Sequence, residues 1–167
     1  AFDVELVGWT AREDLFGDGS RVKEVLREGR AGARGRPLQE GAEVLVSYDA
    51  VAVGGCSIAR RERAEYLIGS GAASPPSWAP TLDRALCSMA SGEACAVLCA
   101  PGHAFSEAHG EVSVTLELHE VFETSDVPPT KDGALVKQRR RQGDGHRRPE
   151  DGQRVRVCVQ SVAAEGE

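Results

Sequence analysis

Apolar and polar residues alternate along residues 43–51. Val44, Val46 and Tyr48 fall on one face, Leu45, Ser47 and Asp49 on the other, and Gly41 and Gly54 bound the run. A period of two that is rich in β-branched residues predicts a half-buried strand. Residues 94–100 after Gly92 and 112–122 after Gly110 are further strand candidates, and in the second of these Val112, Val114, Leu116 and Leu118 share a face. Only residues 80–89 carry a clear helical stripe. There Leu82, Ala85, Leu86 and Met89 recur at i, i+3, i+4 and i+7, with Pro80 suited to the first turn and Gly92 placed to stop the helix. Residues 21–29 fit either pattern. Strands in sequence with one short helix, and no alternation of strand and helix, predict an α+β domain in which an antiparallel sheet packs one face on the helix.

The chain also repeats itself. Residues 18–29 align without a gap with residues 132–143, so that Asp18, Gly19, Val22, Lys23 and Gly29 all recur. After a slip of two or three positions, residues 36–55 pair with 148–167, matching Pro37 with Pro149, Gly41 with Gly152, Val44 with Val155 and Val46 with Val157. The amino end, 2–9, resembles 114–122. This divides the chain into the closing strand of a preceding unit (1–9), a complete domain (10–122), a polar, proline-bearing linker (123–131) and the opening strands of a following unit (132–167). At about 110 residues, each unit has the size of a small domain. The repeat also favours a strand at 21–29, because arginines at 139 and 140 erase the helical stripe in the second copy while Val22 survives as Val136.

Charge narrows the partners. Residues 1–126 hold 11 Lys or Arg against 20 Asp or Glu, whereas 127–167 hold 9 against 6. An acidic body argues against nucleic acid as the main partner, and the basic run at Lys137, Arg139, Arg140 and Arg141 lacks the interleaved aromatics that stack on bases. It reads as a solvated strand face. No apolar run approaches the roughly 20 residues that cross a bilayer, so neither membrane nor nucleic-acid binding is expected and the localisation is read as cytoplasmic. The five cysteines, Cys56, Cys87, Cys95, Cys99 and Cys158, form no CxxC pair and read as buried small hydrophobes of a reducing compartment. His103, His109 and His119 show no metal-ligand spacing, "GSGAAS" does not continue into a phosphate loop, and no serine sits in a nucleophile elbow, so no metal and no cofactor are expected.

The order of these pieces resembles the FKBP-type immunophilins, the FK506-binding peptidyl-prolyl cis-trans isomerases. The matching pieces are the opening DG…G strand, "VLVSYDAV", the "YLIGSG" turn, "LDRALCSMASGE", the "APGHAF" loop and "VTLELHEVFE". The resemblance implies a twisted antiparallel β-sheet wrapped on one short α-helix, and tandem modules of a large multi-domain immunophilin. Rotating an X–Pro bond meets a barrier of roughly 18–20 kcal/mol. It needs an apolar, desolvating cup and a few donors rather than a nucleophile, so no catalytic residue is singled out. By resemblance, the proline pocket maps to Tyr48, Tyr66, Trp78, Ala79, Leu82, Phe105 and Val114, with Ala64 and the region of Cys56 and Ser57 nearby. Several of these depart from the family. Leu82 stands where the family has a tryptophan floor, Ala64 and Val114 where it has phenylalanines, and Phe105 where it has a tyrosine. The loop after Phe105 is short as well. The complete module is therefore expected to be a degenerate, protein-binding or structural FKBP domain. The alternative is an active isomerase with a relaxed pocket. Partners implied are proline-containing protein clients or a larger assembly, together with neighbouring FKBP modules, and the loop at 69–80 with Trp78 is expected to offer an exposed interface anchor.

Overall fold

The structure, a computed structural model, describes residues 2–5, 7, 10–30, 37–126, 136–140 and 150–158. The elements in chain order are β1 (Arg12–Asp14), β2 (Arg21–Arg27), β3 (Glu43–Ala52), β4 (Ser57–Leu67), a 3₁₀ turn (Pro76–Trp78), α1 (Ala79–Cys87), β5 (Ala94–Cys99), a second 3₁₀ turn (Glu107–His109), β6 (Val112–Val121), β7 (Glu123–Asp126) and β8 (Val136–Arg139). The first six strands form one sheet in the order β1-β2-β5-β6-β3-β4, and every pairing in it is antiparallel.

The period-two runs bury the faces their spacing indicates. Val44, Val46, Tyr48, Ala50 and Ala52 of β3 are buried, and so are Val112, Val114, Leu116 and Leu118 of β6 and Cys95, Val97 and Cys99 of β5. The helix lies over this face, with Leu82, Ala85 and Leu86 in the same core cluster. It starts at Ala79 and ends at Cys87, so Met89 lies just past the helix yet remains buried. Pro80 falls in the first turn, where its missing N–H leaves no helical bond unmade. Gly29 is required by close approach: a Cβ there would come within 2.7 Å of the Ala90 Cβ and 2.9 Å of the Ser91 carbonyl. The Arg30 amide donates to that same carbonyl.

Residues 21–27 are a strand, but its innermost side chain is Lys23 rather than Val22. The Lys23 ammonium lies 2.7 Å from the Glu93 carboxylate and donates to Ser88 Oγ at 2.9 Å. A buried ion pair of this kind holds when both charges keep hydrogen-bonded partners. The longest strand, β4, carries the run "RRER", which hides its pattern. It is an edge strand, and charges there discourage pairing with a further chain. The register of β4 against β3 shifts between Val46 and Tyr48, Arg63 takes φ +45°, and its amide donates to Ser47 Oγ at 2.9 Å. On the other side Ser47 Oγ meets His119 Nε2 at 2.7 Å, so this histidine serves to tie two strands.

Beyond the sheet, the structure adds to the expected picture. Residues 123–126, read as linker, are strand and pair with β8. The register is that of the first hairpin, since Asp126 faces Val136 and Ser125 faces Lys137, as Asp14 faces Val22 and Glu13 faces Lys23. The described part of the basic run is exposed, as a solvated face would be, and two of its arginines also make ion pairs. Arg139 pairs with Glu123 and Arg140 with Glu65, while Lys137 is exposed. Cys56 and Cys158 are exposed, unlike the buried thiols expected of all five. Phe2, Val4 and Val7, with Val155 and Val157, lie outside both sheets and are exposed. Among the described residues no helix is long and apolar enough to cross a membrane.

Candidate functional site

The residues aligned with a proline pocket come together at the amino end of α1. Tyr48 rises from β3, Tyr66 from β4 and Val114 from β6, Trp78 and Ala79 lie at the junction of the 3₁₀ turn and the helix, Leu82 is one turn further on, and Phe105 comes from the loop after β5. All seven belong to one core cluster, and none is more than 7% exposed. That figure matters because a cup that receives a proline must present its rings to solvent, whereas here the rings cover one another.

Trp78 occupies the centre and is fully buried. Its indole stacks on the Phe105 ring with centroids 5.5 Å apart and 23° between planes, and meets the Tyr48 ring at 6.4 Å and 57°. These are offset and tilted arrangements that aromatic pairs favour, each worth roughly 0.5–1.5 kcal/mol beyond the area buried. Leu82, fully buried, lies on the same helical face four residues on. Among the described residues the Trp78 indole N–H is buried with no hydrogen-bond partner, so packing holds the ring against the cost of that donor. Trp78 is therefore not the exposed interface anchor expected of this loop, although Pro76 and Ser77 beside it are exposed.

The polar handles of the cup are also committed. The Tyr48 hydroxyl donates to the Ser74 carbonyl at 2.9 Å and accepts from the Ser74 amide at 3.1 Å. The Tyr66 hydroxyl donates to Asp83 Oδ1 at 2.7 Å, and the same oxygen accepts from the Gly69 amide at 3.0 Å. Burial first, and the Asp83 carboxylate second, push the Tyr66 phenol far above its ordinary range. Ser77 Oγ donates to the Ala104 carbonyl at 2.8 Å, tying the loop before the helix to the loop that carries Phe105. Ser74 and Asp83 were not singled out from the sequence. A backbone contact such as that of Ser74 leaves no compositional trace, whereas Asp83, on the helix beside Leu82, was legible as a polar residue facing the "YLIGSG" turn. Ala64 is half-buried on β4, Cys56 and Ser57 are exposed, and none of the three joins the ring cluster.

A surface cleft lies at the opposite end of the helix. It measures about 710 Å³ and is lined by residues that include Lys23, Val25, Met89, Glu93 and Val121. At the amino end Trp78, Ala79 and Leu82 are all buried.

A six-stranded antiparallel sheet crossed by one short helix, in this strand order, is an FKBP-like fold. The fold is shared with the three FKBP domains of wheat FKBP73, with a TM-score of 0.62 at 23% identity over 86% of this chain and 61% of that one. In sequence, the chain is 28% identical to the FK506-binding protein 59 of Drosophila melanogaster over 87% of its length. It is 27% identical to the peptidyl-prolyl cis-trans isomerase FKBP4 of Rattus norvegicus over 62% of its length. The resemblance to FKBP-type isomerases read from the residues thus extends to relatives of that name. The chain spans 34% of the length of the Drosophila relative and 23% of the rat one. No protein-family model matches it.

Proposed function

We propose that residues 10–122 are an FKBP module of a multi-domain immunophilin that has given up the proline site and serves as a protein-binding or spacing unit. The observation that carries this reading is Trp78. A fully buried indole, stacked on Phe105 and tilted against Tyr48, closes these rings against solvent, and we read it as taking the place of a prolyl ring. Rate acceleration requires binding the twisted amide better than the ground state, and a site closed by its own side chain binds neither. The chemistry of partners is that of proline-containing clients or a larger assembly met through surfaces other than this cup.

The test is a proline-peptide isomerisation assay with the 167-residue chain, in which the rate should match the uncatalysed reaction. Turnover at rates typical of enzymes would overturn the reading in favour of an active isomerase with a relaxed pocket. The filled cup also sets what rescue demands. Leu82→Trp adds a ring beside the buried indole and Ala64→Phe one on β4, so FK506 binding should return only when Trp78→Val is added, provided circular dichroism shows the triple variant folded. Binding by the double variant with Trp78 in place would remove the plug from the explanation.

A further inference from the structure

We propose that Arg140 locks a fixed joint between the middle module and the unit that opens at β7. The inference rests on the reading that a further unit follows, and it assigns a role to the basic run that this reading leaves without one. The β7–β8 hairpin leaves the six-stranded sheet at Phe122 and returns toward it. At its end the Arg140 guanidinium engages the Glu65 carboxylate with both Nη atoms, the Nη2 to Oε2 contact being 2.7 Å. The same guanidinium lies over the Phe122 ring, 5.2 Å from its centroid. Gln138, two residues earlier and on the same strand face, donates to Glu43. Glu43 and Glu65 belong to β3 and β4 of the middle module, and Phe122, buried, closes it. The second strand of the hairpin and the residue that follows it thus return two side chains to two carboxylates of the preceding sheet.

Three physical features make this a joint rather than a stray surface pair. A bidentate fork between guanidinium and carboxylate constrains direction as well as distance, which a lysine cannot do. The Phe122 ring beneath the guanidinium adds a cation–π contact to the carboxylate pair. The hairpin pairing has already brought Arg140 to its partner, so forming the pair orders little additional chain. The position is specific to this hairpin as well. In the aligned first hairpin it holds Leu26, which is exposed and makes no such return. Arg140 holds the Glu65 carboxyl below its ordinary range, as a pair that exists in the folded chain must.

The consequence is that the following unit leaves the middle module at a set angle instead of swinging on a linker, which is what a spacing unit requires. Backbone ¹⁵N relaxation and amide exchange of the 167-residue chain test it. In the wild type, order parameters of Lys137–Arg140 should equal those of β3, near 0.85 for rigid backbone. Arg140→Ala and Glu65→Ala should each lower them below about 0.6 while amide protection within β3 and β6 is unchanged. Combining Glu65→Arg with Arg140→Glu should restore part of the loss. Amides protected across β7 and β8 in a hairpin that tumbles independently, or no response to either substitution, would overturn the joint and leave the following unit standing. A hairpin whose amides are unprotected in the wild type would overturn both.

Discussion

The hairpins β1–β2 and β7–β8 share a strand register and differ in what lies behind them. In the first, β2 pairs on its second edge with β5, and Lys23 points into the protein against Glu93 and Ser88. In the second, the matching Lys137 is exposed, and the hairpin reaches back to the middle module through Arg140 instead. The strand that follows in sequence diverges in the same way. Val44 and Val46 are buried in β3, whereas their counterparts Val155 and Val157 are 60% and 73% exposed. Local sequence therefore dictates a turn and a pairing register, and whether the resulting surface becomes core depends on the sheet it meets. Between the paired Asp and Val, residues 15–21 in one copy answer to 127–135 in the other, so the hairpin tolerates a longer connection without losing register.

The contrast can be broken in three places. The largest effect belongs to the thiols. Burial pushes Cys95 and Cys99 up to about 12, while Cys158, which follows Val157, is exposed. A thiol-alkylating reagent followed by mass spectrometry should label Cys158 and Cys56 at once. Cys95 and Cys99 should react only through unfolding, about a thousandfold more slowly or beyond, and equal labelling would erase the distinction between packed and unpacked copies. Next come the paired lysines. Lys23→Met strands Glu93 in the interior and should cost about 3–5 kcal/mol in urea denaturation, while Lys137→Met should stay within about 0.5 kcal/mol. Similar costs would mean that the two hairpins are equally buried.

The smallest effect is acid. In the first hairpin the Asp14 carboxylate accepts from the amides of Gly19, Phe16 and Gly17, and the Gly19 bond does most to lower its pKa. A carboxyl lowered on folding contributes stability that is present above its unfolded value of about 3.9 and is lost as pH falls through the folded one. Amide exchange at Gly19 should accelerate only below about pH 4. The second hairpin should loosen in the same direction, but at the Glu65–Arg140 joint, because Arg140 lowers the Glu65 pKa chiefly through its hydrogen bond. A hairpin whose Gly19 exchange ignores pH down to 3 would show that the carboxylate does not hold the turn.

The strands β3, β5 and β6, the helix stripe through Leu82 and Leu86, and the repeat itself were legible from the sequence alone. Period and recurrence are properties of neighbouring residues, and the core uses them as they stand. The positions singled out as ring-bearing, Tyr48, Tyr66, Trp78 and Phe105, all lie in the core cluster. Their arrangement was not legible. That Trp78 turns inward to stack on Phe105, that Lys23 rather than Val22 is buried, and that Arg140 returns to Glu65 all depend on side chains brought together from 27 to 75 positions apart in sequence. The charged edge strand β4 was missed for a related reason: its "RRER" serves solvent and the sheet's edge, so no apolar period marks it. Local chemistry set which segments become strand, turn and helix. Packing decided which rings stack in the core and which charges are buried, because only in the assembled sheet do burial and partner exist to be chosen.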